Sequence, residues 1–180
     1  MRIAVASIGL AALAACSSPS PAPPPAAGTA RQAVVVLASA SGSRVSGKLT
    51  LVPKGDGVLI SGEVGGLAPN GQFGFHVHAK GDCSAADAAS AGGHFNPAGS
   101  MHGRAGGSVH HAGDMDNIVA DAGGRAKVDV YLRGVTLGGG AADDIAGRAV
   151  IVHADPDDYR SQPAGNAGAR VACGVIELAK

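Results

Sequence analysis

The chain carries no surplus of positive charge: 14 Lys and Arg stand against 14 Asp and Glu, a formal net charge of +0. That balance argues against a nucleic-acid partner, which needs a basic surface to displace counterions. Aromatic residues are scarce, with three Phe, two Tyr and no Trp. No window shows sustained helical periodicity, and 29 glycines and 10 prolines make up more than a fifth of the 180 residues. Gly costs roughly 1 kcal/mol and Pro roughly 3 kcal/mol per helix-interior position, so a helical bundle is excluded. Two other counts set the direction. There are three cysteines, an odd number, and seven histidines in a chain with only two glutamates.

No apolar run is long enough to cross a membrane, which takes about 20 residues. Arg2 precedes an uncharged stretch over 3–15 that fits a signal-peptide core, to be set aside before fold reasoning. The stretch ends Leu13-Ala14-Ala15-Cys16, which resembles a bacterial lipobox. In that reading Cys16 is acylated and becomes the first residue of the mature chain; the alternative is an ordinary secretory signal with a nearby Cys. Two or more acyl chains anchor stably where one is marginal. Residues 16–30 hold Pro19, Pro21, Pro23, Pro24 and Pro25 and have no hydrophobic periodicity. At about 3.1 Å per residue such a segment reaches roughly 40 Å as a spacer. The expected organisation is therefore 1–15 signal peptide, 16–30 lipidated Cys and linker, and 31–180 one compact domain. It places the protein at a bacterial cell envelope, lipid-anchored and facing the periplasm or the exterior. Disulfides persist outside the cytoplasm. With Cys16 acylated, Cys83 and Cys173 remain as a pair.

Alternating and β-branched stretches predict eight strands, over 33–37, 45–52, 58–64, 73–78, 117–121, 126–132, 148–153 and 171–178. Turn residues separate them, as in Lys54-Gly55-Asp56-Gly57 and Ala122-Gly123-Gly124. Short strands at this spacing predict an all-β antiparallel sandwich or barrel. Two long Gly-rich loops, 79–113 and 154–169, interrupt the pattern. Unpatterned loops of such length are usually functional or disordered, and these carry His, Asp and Cys.

All seven histidines lie in or beside those loops. His76 and His78 sit at i and i+2 of a predicted strand, so their imidazoles share one face while Phe75 and Val77 point to the other. His94, His102, His111 and Asp114 offer three imidazoles and a carboxylate, a tetrahedral zinc set. His153, at the end of the seventh strand, can join His76 and His78; imidazole nitrogens in a tetragonal arrangement suit copper(II). Two four-coordinate sites need one more ligand than these seven side chains supply. An imidazole coordinating through both nitrogens would fill the gap.

Three segments carry a family resemblance: Gly74-Phe-His-Val-His-Ala-Lys-Gly-Asp-Cys-Ser84, Gly92-Gly-His-Phe-Asn-Pro97 and Gly165-Asn-Ala-Gly-Ala-Arg-Val-Ala-Cys-Gly-Val-Ile176. Over about 31–180 the chain resembles the copper/zinc superoxide dismutases, in particular bacterial exported members in a lipoprotein form. The resemblance implies an eight-stranded Greek-key β-barrel, an immunoglobulin-like sandwich, with two long functional loops. It implies one copper per subunit on His76, His78, His94 and His153. One zinc would lie on His94, His102, His111 and Asp114, with His94 as the bridge. It pairs Cys83 with Cys173 and gives Arg170 the task of attracting and orienting the superoxide anion. Arg170 has a structural alternative, hydrogen bonding to loop carbonyls. Asp157 resembles the carboxylate that links a copper-side His, here His76, to a zinc-side His, here His102; Asp155 and Asp158 compete for the role. The His-x-x-Asp spacing to Asp114 selects His111 over His110, which is left exposed or outside the ligand set.

The implied activity is dismutation of superoxide to dioxygen and hydrogen peroxide, protecting the envelope, with His94 returning a proton. The stretch between Cys83 and His94 is longer than in eukaryotic members, and 154–169 is shorter and lacks their Glu and Lys cluster, with Lys80 a possible substitute. The oligomer is monomer or homodimer. Two rival readings are a metal-buffering lipoprotein without turnover and an interaction module that keeps only the barrel.

Overall fold

The structure is a computed structural model that describes residues 32–180, so the predicted signal segment, Cys16 and the linker lie outside the described residues. The strands are β1 (Ala33–Ser39), β2 (Ser46–Lys54), β3 (Gly57–Gly65), β4 (Gln72–Phe73), β5 (Phe75–His78), β6 (Ile118–Val119), β7 (Ala126–Arg133), β8 (Ala149–His153), β9 (Arg170–Val175) and β10 (Glu177–Leu178). The helical content among the described residues is a single 3-10 turn, Ala89–Ala91.

Alternation in the sequence becomes alternation in burial. Val35, Leu37, Leu49, Leu51, Val58 and Ile60 face one core together with Phe75, Val77, Val150 and Val152. Each such side chain contributes roughly 1.5–3 kcal/mol on leaving water. The strands form one curled antiparallel sheet in the order β5-β8-β9-β1-β2-β3-β7, with β10 beside β1. β4 pairs with β6 and runs directly into β5, and β6 lies against β7. The non-sequential neighbours β3–β7, β5–β8 and β9–β1 give the Greek-key barrel. β1 joins its two halves: Ala33 pairs with Leu178 at one end, and Ala38 with Cys173 at the other.

Two predicted strands are each divided, for a local reason. The expected 73–78 strand breaks at Gly74, whose N–H donates to the Asp155 carbonyl while its own carbonyl accepts from His153. A Cβ there would stand 2.8 Å from the Ala167 Cβ, so glycine lets the 154–169 loop pack down onto the strand. The expected 171–178 strand breaks at Ile176, whose backbone pairs with Arg148 and Gly147. Only two residues of the expected 117–121 strand form a ladder.

Three backbone hydrogen bonds tie the first loop to the barrel: Val77 N–H to the Gly113 carbonyl, Gly113 N–H to Phe95, and Phe95 N–H to Val77. A Cβ on Gly113 would lie 2.2 Å from the Val77 carbonyl oxygen, so this junction requires glycine. A further connection, 134–148, is ordered by the buried Asp144 carboxylate, which accepts from the N–H groups of Gly138, Gly140 and Ala146. The sequence pattern does not reveal it.

Candidate metal centre

β5 presents His76 and His78 on the face opposite Phe75 and Val77, as the two-residue period requires. His153 ends β8, where the β8–β9 register shifts between Val152 and His153. A bulge re-aims the side chain that follows it, and here it places His153 Nε2 3.4 Å from His78 Nε2. His94 and Asp114 reach the same strand through isolated bridges to His78 and His76. Two groups able to hold a metal result: His76, His78, His94 and His153, and His94, His102, His111 and Asp114. All seven residues are buried, and His94 belongs to both groups.

Hydrogen bonds single out which nitrogens are open to a metal. His78 Nδ1 donates to the Gly92 carbonyl at 2.8 Å and His153 Nδ1 to Gly168 at 3.3 Å, leaving the two Nε2 atoms facing each other. Asp157 takes His76 Nε2 at 2.8 Å on one oxygen and His102 Nε2 at 3.0 Å on the other, leaving both Nδ1 atoms. His94 Nδ1 lies 2.7 Å from Asp114 Oδ1, which turns Nε2 toward the other group. His76 Nδ1, His94 Nε2 and His102 Nδ1 are buried without a hydrogen-bond partner. His102 Nδ1 stands 3.1 Å from Asp114 Oδ2 but is not aligned for a hydrogen bond. Such orphaned buried atoms are rare unless something else satisfies them. His76 belongs to the group of four imidazoles, His102 to the group with the Asp114 carboxylate and His94 to both, and the two donor sets fit a copper and a zinc.

Burial favours the neutral form of four of the imidazoles, His76, His78, His111 and His153, which is the form a ligand must take. Burial lowers His76 to about 4, His78 to about 2 and His153 to about 3. His111 is lowered for the same reason. Burial pushes Asp114 up, but bonds from His94 and from the His111 and Gly103 N–H groups outweigh it and hold the carboxyl well below its usual range. The same balance lowers Asp157, where bonds from His76, the Tyr159 N–H and His102 prevail.

The other expected residues fall as follows. Cys83 and Cys173 are joined, with Cα atoms 5.8 Å apart, tying the first loop to β9. Arg170 begins β9 and donates to the carbonyls of Ala88 and Gly92. It therefore holds the structural role outright and sits beside His78 through their common acceptor. Asp157 meets both expected histidines. Asp155 contributes its backbone to the Gly74 contact, and Asp158 caps a turn through Ser161, so neither enters the cluster. His110 Nδ1 donates to the His111 carbonyl outside both groups. The Lys80 stem runs past Gly92. Sequence reasoning missed Asn117, Gln162 and the packing role of Gly165. A Cβ on Gly165 would meet Asp157 Oδ1 at 1.8 Å.

Comparison with known proteins agrees with this arrangement. The family described as copper/zinc superoxide dismutase (SODC) matches residues 45–176. The chain is similar to Cu-Zn superoxide dismutase 2 of Aquifex aeolicus (strain VF5), 46% identical over 135 residues, covering 73% of this chain and 79% of the relative. Cu-Zn superoxide dismutase 1 of the same organism is 45% identical over 134 residues, with the same coverage. Among solved structures, a SOD-like protein from Bacillus subtilis is 35% identical with a TM-score of 0.72, covering 79% of this chain and 97% of that one. The clock protein EA4 is 36% identical with a TM-score of 0.75, covering 84% and 97%.

Proposed function

The chain belongs to the copper/zinc superoxide dismutase family and converts superoxide to dioxygen and hydrogen peroxide with copper and zinc as cofactors; we propose which residues do this and where. His76, His78, His94 and His153 hold copper, and His94, His102, His111 and Asp114 hold zinc. The observation that carries the assignment is His94, the one side chain common to both groups.

When bound, the copper supplies one-electron exchange with successive superoxide anions while the zinc holds position. In balance, two superoxide anions and two protons give one dioxygen and one hydrogen peroxide. The protein's part is orientation, charge and proton supply. Asp157 fixes the ring planes and tautomers of His76 and His102 from one carboxylate, which is how outer partners tune a metal site. His78 and His153 are fixed through Nδ1 by carbonyls. His94 has a nitrogen toward each group, so it can carry a proton on Nε2 while Nδ1 stays on the Asp114 side. Arg170 is held rigid by two carbonyls, so its charge is in place before an anion arrives. That fixed field also accelerates encounter.

Cys16 is the proposed lipid anchor and 16–30 the spacer, which puts the enzyme at the cell envelope, defending it from superoxide. The test measures copper and zinc per chain, superoxide consumption and membrane fractionation together. One copper and one zinc with turnover, and release of the Cys16→Ser variant into the soluble fraction, are the expected results. Metal binding without turnover would leave a buffering protein, and continued membrane fractionation of Cys16→Ser would remove the anchor.

A further inference from the structure

His102 and Asp157 sit on the two long loops, which leave the barrel at different points and have almost no ladder of their own. A primary amide crosses in each direction, Gln162 from the second loop onto His102 and Asn117, just before β6, onto Asp157. Gln162 Oε1 accepts the His102 backbone N–H at 2.9 Å, and Gln162 Nε2 donates to the His102 carbonyl at 2.9 Å. In the reverse direction Asn117 Oδ1 accepts the Asp157 N–H at 2.8 Å, and Asn117 Nδ2 donates to the Asp157 carbonyl at 3.0 Å. Asn117 is itself fixed by the Tyr159 hydroxyl, which accepts its N–H at 2.9 Å. Between the clamped residues runs the direct His102–Asp157 bond of 3.0 Å.

We propose that Gln162, with Asn117 as its counterpart, is a positioning residue for the zinc site: it grips both backbone groups of His102 and so aims the imidazole before metal arrives. The role rests on the reading of His102 as a zinc ligand. A primary amide is the uncharged side chain that offers a donor and an acceptor side by side, matching one residue's N–H and C=O. Backbone freedom costs about 1–2 kcal/mol per residue to remove, and in a free loop metal binding would bear that cost. Here the clamp removes it in advance. Gln162 is exposed while the His102 it grips is buried, so shortening Gln162 opens no cavity in the core. Its effect therefore falls on His102 and not on the barrel. Asp157 orients the His102 ring; Gln162 orients the peptide that carries it. The two constraints are chemically separate.

The experiment uses the full protein loaded with zinc, and separately with cobalt(II) as a visible-absorbing probe of that site. Release to a chromophoric chelator and the cobalt band positions are recorded for wild type, Gln162→Ala, Gln162→Asn and Gln162→Glu. Loss of an outer-shell partner weakens metal binding by about 10- to 100-fold. Gln162→Ala and the too-short Gln162→Asn are expected to release zinc faster by that order and to shift the cobalt bands. Gln162→Glu, which keeps the acceptor for the His102 N–H and lacks the donor, falls between. The urea midpoint of the metal-free protein stays at the wild-type value, a result that a merely structural contact would not give. Wild-type release and an unshifted cobalt spectrum in Gln162→Ala would overturn the role. A His102→Ala control with wild-type zinc release would instead overturn the ligand reading, and the role with it.

Discussion

Arg170 and His78 share one acceptor: the Gly92 carbonyl receives Arg170 Nη2 at 2.6 Å and His78 Nδ1 at 2.8 Å. The guanidinium that carries fixed positive charge and an imidazole of the proposed copper set are thus registered to a single peptide group. Gly92 reaches this position with φ +73, a left-handed conformation that glycine adopts without strain.

Arg170→Ala removes that charge and leaves every proposed ligand in place. Copper and zinc content should be unchanged, while the superoxide rate falls on the order of 10- to 1,000-fold, the range over which a focused field of one sign raises on-rates. The remaining rate should depend less on ionic strength. Stopped-flow superoxide decay across a salt series checks both; an unchanged rate would end the role.

Asp157→Ala frees His76 and His102 at once. Because one carboxylate serves both rings, affinity for both metals should drop by about 10- to 100-fold. Competition titrations against a chelator for each metal measure it. A loss confined to one metal would contradict the double contact.

Gly165→Ala should mimic that loss without replacing a ligand. The added methyl would stand 1.8 Å from Asp157 Oδ1 and 2.8 Å from His102 Nε2, at φ +67. Asp157 has to move. Zinc release from this variant should be faster than from Ala164→Ser, a neighbouring control.

The metal-free protein should weaken in mild acid. His76, His78 and His153 are lowered from 6.5 to about 4, 2 and 3 in the fold, so the unfolded chain binds protons first as pH drops. Stability is full above about pH 6.5 and declines below it toward those folded values. Each group contributes a slope of up to roughly 1.4 kcal/mol per pH unit. Urea unfolding from pH 7.5 to 4.5 with chelator present records it; a flat profile would refute the buried neutral imidazoles.

Cys83→Ser opens a loop with a sequence separation of 90, worth roughly 4–5 kcal/mol in the chain-entropy description. Ala88, whose carbonyl holds Arg170 Nη1, packs in the same small cluster as Cys83 and Cys173. Both stability and rate should therefore fall, the first read by denaturant and the second by superoxide decay.

What was legible in the sequence follows from local period and spacing. Alternation located the long strands, and the i, i+2 placement of His76 and His78 already put both on one face. The three-residue step to Asp114 chose His111 over His110, and the structure has His111 in the cluster and His110 outside it. Asp157 was open against Asp155 and Asp158, since all three lie on one short stretch and only the fold shows which one points inward. Gln162 and Asn117 were illegible because they act through backbone groups about 40 to 60 residues away, a relation with no periodic signature. The strand breaks at Gly74 and Ile176 were hidden for a similar reason: each backbone is taken by a partner from another part of the chain.

The closed ring of hydrogen bonds among Val77, Phe95 and Gly113 has a consequence for how such chains can vary. It pins both ends of the first loop's ligand-bearing part to β5, independently of what lies between Ala79 and Gly93. Within that interval Cys83 is held by the disulfide, and the Ala88 and Gly92 carbonyls hold Arg170 and His78, so length can vary only in the short stretch between Cys83 and Ala88 while His94 and Asp114 keep their address on the barrel. Sequence added between Cys83 and Ala88 would therefore leave the metal-binding side chains where the barrel puts them.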